Sequence, residues 1–266
     1  MYVQIVGKLR LALSPPEPEW AHVALYVTAR GLTTGPIPSG DRTFEVEFDF
    51  LTHALHVTVS DGPVRGIALG PRSVAEFYED VIGVLRALDI EARISTMPSE
   101  VPNPIRFTDD TEHASYDRDW VARFWRILVH ADTALREHRA PFRRRHTPVQ
   151  FFWGGFDLAY TRYSGRPATP PRDDVITRFG MDAEEICAGF WPGDDRLPEP
   201  AFWCYGYPKP AGIERASIGP PAAFWSDETG LFVLPYETVR TSDRPRALLR
   251  EFFTTTYDAC ASLAHW

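Results

Sequence analysis

Lysine is nearly absent from this chain: Lys8 and Lys209 are the only two among 266 residues. Arginine carries the rest of the positive charge, a skew that coding bias explains, and no lysine stands in a phosphate loop or at an evident Schiff-base position. Cysteine is scarce as well. Cys187, Cys204 and Cys260 are widely spaced and odd in number, so they build neither a disulfide framework nor a CxxC metal or redox pair. No apolar run approaches the length of a membrane span, and no charged segment leads into an apolar one at the N-terminus. The chain therefore reads as soluble and cytoplasmic. Also missing are a glycine-rich phosphate loop, a dinucleotide fingerprint, an HExxH pair and a Gly-x-Ser-x-Gly elbow. Those absences disfavour the commonest nucleotide, zinc-protease and hydrolase functions, though not enzymes in general. The formal charge of −8 argues against nucleic acid as a partner, which needs a basic face. The one basic run, Arg143 to His146, reads as a solvated connector between a helix and a strand.

What is present is an ordinary globular composition, 44% apolar and 24% charged, long enough to bury a sizeable core. Aromatic residues crowd the C-terminal part, where large rings either pack a core or line a small-molecule pocket. Strand patterns appear at 3–13, 22–28, 149–163, 185–191, 201–207, 222–225 and 231–234, with a further one near 91–95. Residues 44–50 alternate cleanly. Phe44, Val46, Phe48 and Phe50 take one face, and Glu45, Glu47 and Asp49 take the other, normally a solvent face. Leu55, Val57 and Val59 continue the pattern, with His56 and Thr58 facing away. Ser73 and Glu76 form a capping box before the stripe Val74, Phe77, Val81, Leu85 and Leu88. A long helix over 117–138 buries Trp120, Phe124, Ile127, Leu128, Ala131 and Leu135, and Pro141 follows its end. A proline-rich surface loop spans 164–174, and a final helix from Pro245 buries Leu249, Phe252, Phe253, Cys260 and Leu263. The expected fold is α+β, one domain over 1–266 built from antiparallel sheets and amphipathic helices. Two similar sheet-plus-helix halves, 1–110 and 149–266, would be joined by the long helix, a possible duplication that pairs 22–34 with 150–162.

Eight histidines fall at no metal-ligand spacing on a single element, so no metal site is expected and no cofactor is specified. His22, His113 and Glu185 are the candidate catalytic groups, each weighed against a structural role. His113 precedes the long helix, whose dipole would hold the imidazole neutral. Residues 151–166 form the most unusual stretch. The pair Gly154-Gly155 inside a strand pattern implies a bulge or a close backbone approach. Alternation puts Asp157 on the Phe151 and Trp153 face and Arg162 on the other, so either charge must be paired or must serve a ligand. Trp153, Asp157, Arg162, Trp191 and Arg30 are the candidate ligand contacts around an aromatic cleft.

Five further stretches carry a resemblance: 4–13, 26–34, 113–117, 124–128 and 188–193, together with the aromatic segment 151–166. Across nearly its whole length the chain resembles a bacterial family that carries only a number as a domain of unknown function. The resemblance implies a shared fold and no activity. Relatives show histidine where this chain has Gln150, and a His-Glu pair where it has Glu184-Glu185, which lowers a metal reading further. They also carry a helical lead-in before the 4–13 segment, implying a start upstream of Met1. Two functional classes stand. One is an enzyme acting on a small organic molecule through His22, His113 and Glu185. The other is a non-catalytic module that binds a metabolite or a partner protein on its aromatic half. Converging histidines and a carboxylate in a cavity would favour the first, and dispersed histidines the second.

Overall fold

Residues 2–13 are the first departure from the expected strands. In the computed structural model, which describes residues 1–195 and 197–266, they form a helix, α1 (Tyr2–Leu13). Propensity pointed to a strand because Val3, Ile5 and Val6 are β-branched. Packing decided otherwise. Ile5, Val6 and Leu9 are fully buried, and the polar Gln4, Lys8 and Arg10 are less than a tenth exposed. A helix enclosed all round carries no polar stripe to reveal its period.

The chain divides into two compact units, residues 1–129 with 151–155 and residues 130–150 with 156–266. In the first, strands β1 (Tyr26–Val27), β2 (Gly31–Thr33), β3 (Ile37–Ser39), β4 (Arg42–Asp49), β5 (Ala54–Val59) and β6 (Arg65–Ala68) form an antiparallel sheet. Its order is β1-β2-β4-β5-β6, with β3 pairing β4. The alternation on β4 holds for the core, since Phe44, Val46, Phe48 and Phe50 are buried together with Leu55, Val57 and Val59. It fails for Asp49. That carboxylate is buried, bonded by Arg30 at 2.6 Å and by the backbone N–H groups of Leu51 and Thr52. Burial works to raise its pKa, but the bonds from Thr52, Arg30 and Leu51 hold it at about 2. Helix α2 (Val74–Ala87) starts on the expected capping box and buries the expected stripe, Leu88 included. The strand expected at 22–28 shrinks to β1 because 18–23 turn, and 91–95 contain no strand.

Helix α3 (Arg118–Arg139) matches the long helix. It buries Leu128, Ala131 and Leu135, but Trp120 is 66% exposed, with Arg123 over its ring. The second sheet is also antiparallel, in the order β11-β12-β10-β9-β8-β7. Its strands are β7 (Gln150–Phe152), β8 (Asp157–Pro167), β9 (Ala183–Trp191), β10 (Ala201–Tyr207), β11 (Phe224–Ser226) and β12 (Leu231–Pro235). Gly154-Gly155 lie in the turn between β7 and β8, not in a bulge, so alternation counted straight through 151–163 is broken there. What comes close at Gly154 is a side chain rather than backbone: a Cβ there would sit 2.0 Å from the Glu100 carboxylate. Residues 164–167 extend β8 rather than opening a loop, and α4 (Val175–Gly180) follows the proline-rich stretch. After α5 (Tyr236–Arg240), helix α6 (Pro245–Leu263) buries Leu249, Phe252, Phe253 and Cys260, but leaves Leu263 exposed. The fold is α+β with two antiparallel sheets, each followed by a helix. Among the described residues no helix is long and apolar enough to cross a membrane.

Candidate functional site

Antiparallel register places side chains of directly opposed residues on one face of a sheet. In the second unit, Glu185 on β9 lies between Tyr163 on β8 and Tyr207 on β10. The next row on that face is Thr161, Cys187 and Tyr205, and the next is Ala159, Gly189 and Trp203. Gly189 is required here, because a Cβ would come 2.4 Å from the Trp203 ring and from the Leu158 carbonyl. Trp203 in turn stacks on Tyr205, with centroids 5.8 Å apart. The result is a carboxylate set in an aromatic sheet face. Glu185 is 3% exposed and accepts the Tyr205 hydroxyl at 3.0 Å. Burial, reinforced by that carboxylate, pushes the Tyr205 phenol well above its ordinary range and keeps it a donor. Thr161 donates to the Cys187 sulfur at 3.2 Å, and burial raises that thiol.

A cavity of about 190 Å³ lies at the end of the sheet where β9 begins and β10 finishes. Tyr207, Pro208, Lys209, Cys260 and Trp266 line it with Glu185. Gly206 adds depth by having no side chain beneath Cys260. Glu184 also reaches the wall but is otherwise committed. It accepts from Arg166 at 2.6 Å and Ser164 at 2.9 Å, bonds that hold its carboxyl below the ordinary range. Arg166 further donates to the Ala264 and His265 carbonyls, so this pair pins the end of α6 beside the cavity.

The opposite face of β8 holds a second charged group. Arg162 is 4% exposed, its guanidinium 4.2 Å from the Tyr257 ring centroid and 4.9 Å from that of Phe142. It donates to the His138 carbonyl, and its buried Nε has no partner among the described residues. The His138 ring meets the Tyr160 hydroxyl through Nδ1 and stacks on Phe253. Burial first, and the Arg162 charge second, push its pKa down to about 3. This imidazole is neutral, enclosed and structural.

Of the remaining sequence candidates, Asp157 and Trp191 flank the Leu158–Phe190 pair at the far end of the sheet. Trp191 is six residues from Glu185 along β9, about 20 Å for an extended strand. The first unit holds Trp153, His22, His113 and Arg30. Trp153 is a core residue, its indole against Gly7 and its Nε1 donating to the Val23 carbonyl at 2.8 Å. His22 is buried and neutral, its pKa lowered by burial while its Nδ1 accepts the Glu17 N–H at 3.1 Å. Arg30 is spent on Asp49. His113 differs: its ring is 58% exposed, and its Nδ1 lies 2.9 Å from the wholly buried Asp110 carboxylate. In sequence α3 starts five residues after it, at Arg118, and the His113 backbone carbonyl accepts the Val74 N–H at the start of α2 at 3.1 Å. Among the described residues no hydrogen bond or ion pair joins His22 to His113, and no cluster of His, Cys, Asp and Glu is arranged to hold a metal.

Sequence reasoning missed Lys209 and Cys260 as cavity residues, and Asp110 as the partner of His113. Lys209 stands alone between prolines, where spacing carries no signal. Asp110 stands three residues before His113, a separation that means contact only once the loop is known to turn there.

The chain matches none of the curated proteins and none of the solved structures compared with it. A family model does match, over residues 1–266, and the chain belongs to that family, a family of unknown function designated DUF5996.

Proposed function

We propose that this protein binds a small organic molecule in the cavity at the end of the second sheet. One observation carries the reading: a cavity of about 190 Å³ is lined by the aromatic Tyr207 and Trp266 and by Lys209, whose ammonium has no carboxylate partner among the described residues. Aromatic walls with a single charge at the rim suit a small ligand that carries an anionic group. No histidine is among the described residues that line the cavity, which supports binding over proton-transfer chemistry at this place. The test is a thermal-shift and calorimetric screen of small metabolites on wild type and Lys209→Gln. A compound that raises Tm in the wild type is expected to lose about 5- to 10-fold in affinity with Lys209→Gln, a charged contact at the rim being worth less than a buried one. Binding that ignores the substitution would place the site elsewhere.

A second reading is favoured by Asp110 and His113. A buried carboxylate on Nδ1 of an exposed imidazole fixes the tautomer that turns Nε2 to solvent, the arrangement of a general base. On this reading the protein is an enzyme acting on a small organic substrate. With a panel of activated esters and phosphoesters, His113→Gln is expected to remove about 100-fold or more of any turnover, within the range of acid–base contributions. Turnover unchanged by His113→Gln would end this reading.

A further inference from the structure

Strand register decides which side chains meet in the cavity. Trp225 pairs with Phe232, Phe232 with Cys204, and Gly206 with Ile186, so these residues share one face of the second sheet. Helix α6 lies over that face, its Cys260 Sγ 3.4 Å from where a Cβ on Gly206 would stand. Ala264 and Trp266, just past the end of α6, and Pro208 and Pro210, just past β10, complete the apolar lining. The charged residues around it differ in what they offer. Glu185 points to the other face, where it accepts the Tyr205 hydroxyl. Glu184 is taken, since Arg166, Ser164 and the Trp266 side chain all bond to it. Lys209 has no carboxylate partner among the described residues. Its Nζ lies 5.0 Å from the centroid of the Trp225 ring, a contact that positions an ammonium without neutralising it. The space is small: an apolar cavity of about 150 Å³ accommodates benzene. One of about 190 Å³ therefore takes a single ring, or a chain of similar bulk, with one small polar group.

We infer that the cavity takes a small apolar monocarboxylate, with its carboxylate on the Lys209 ammonium and its ring or short chain against Ile186, Cys260 and Trp266. This rests on the binding reading of the same cavity. The carboxylate goes to Lys209, which is exposed at the rim and carries a flexible point charge. One ammonium suits a single negative charge. A dianion would bring its second charge beside Glu184, whose donors are already used, and an amine would bury an ammonium with no acceptor left for it. The apolar lining accepts the carbon body.

Benzoate and hexanoate are titrated singly by calorimetry into the full-length protein, beside acetate, benzamide, benzylamine and phenyl phosphate. At least one of the first two is expected to bind and to raise Tm. Acetate, which lacks the body, should bind about 100-fold or more weakly. Benzamide, which lacks the charge, should be about 5- to 10-fold weaker than benzoate. Lys209→Gln should weaken benzoate by the same 5- to 10-fold and leave benzamide unchanged. Ala264→Leu, which fills the wall with Lys209 intact, should abolish binding of both. Unliganded Tm values close to wild type show that the variants fold, and Lys209→Gln, a change at the exposed rim, decides the matter if Ala264→Leu does not. If benzamide, benzylamine or phenyl phosphate matches benzoate, or Lys209→Gln weakens benzoate and benzamide alike, the monocarboxylate assignment is wrong while the cavity remains a binding site. The same holds if neither carboxylate binds but another anion does so in a Lys209-dependent way. If nothing binds, or nothing that binds responds to Lys209→Gln or Ala264→Leu, both the ligand class and the binding reading fall.

Discussion

Stability should fall steeply as pH drops from about 6.5 toward 3, and His138 should be a principal cause. An exposed histidine in the unfolded chain takes its proton near pH 6.5, whereas in the folded protein burial and the neighbouring Arg162 hold it off until about 3. Between those values the unfolded chain binds the extra proton, so lowering the pH favours unfolding. At ~1.4 kcal/mol per pKa unit the full effect is on the order of 5 kcal/mol, comparable to the whole stability of many domains. Above pH 6.5 both states are neutral and the effect vanishes. His138→Phe alone would strand the buried Tyr160 hydroxyl at a cost of about 1–3 kcal/mol, so the informative variant is His138→Phe with Tyr160→Phe. Phenylalanine keeps the stack on Phe253 and the edge contact with Tyr257. Urea melts of the double variant are expected to lose clearly less stability between pH 6.5 and 4.5 than the wild type, the remaining slope coming from His22 and His53, whose pKa values burial also lowers. An equal slope in both would show that His138 is not the titrating group.

Gly7→Ala is expected to lower Tm, against the helix rule. Replacing a mid-helix glycine by alanine normally gains about 0.5–1 kcal/mol. At Gly7 the new Cβ would lie 2.2 Å from Cδ1 and Nε1 of Trp153. That ring cannot retreat freely. It is buried, its Nε1 is bonded to the Val23 carbonyl, and Lys8 lies 5.4 Å from its ring centroid. Overpacking and a strained or lost hydrogen bond together cost about 2–4 kcal/mol net. For a chain of this size that is a fall of roughly 5–10 °C. Gly83→Ala is the control. Gly83 lies within α2 with nothing within 4 Å of its added Cβ, so Tm should rise slightly. A rise in Tm for Gly7→Ala as well would mean that α1 does not pack against Trp153.

The same contrast explains which elements were legible in advance. Helix α2 has a capping box and a one-sided stripe, and β4 alternates between ring and charge, so each declares its period locally. Helix α1 is enclosed, with Gln4 held by Ser99 and Lys8 donating to the Ser99 hydroxyl at 2.9 Å, and its β-branched residues read as a strand. Asp49 looked like one of three solvated acids, because its partner Arg30 is nineteen residues away, in the bend between β1 and β2. Trp153 and Arg162 looked like ligand contacts because large rings and a buried charge are ambiguous in sequence. The structure packs the Trp153 indole against Gly7 and sets the Arg162 guanidinium among the Phe142, Tyr160 and Tyr257 rings.

The amino-acid sequence alone determined the α+β class, the antiparallel strands of the second sheet, the capped and amphipathic helices, and the family. These depend on periodicity, caps and turns, which act over a few residues. Only the tertiary structure decided that Lys209 and Cys260 line one cavity, that Asp110 orients His113, and that Gly7 makes room for Trp153. Each of those turns on which strand, loop or helix lies beside which, and on what burial does to a charge once it is there. Neighbours in space are set by register and packing across the fold, and a single sequence does not display them.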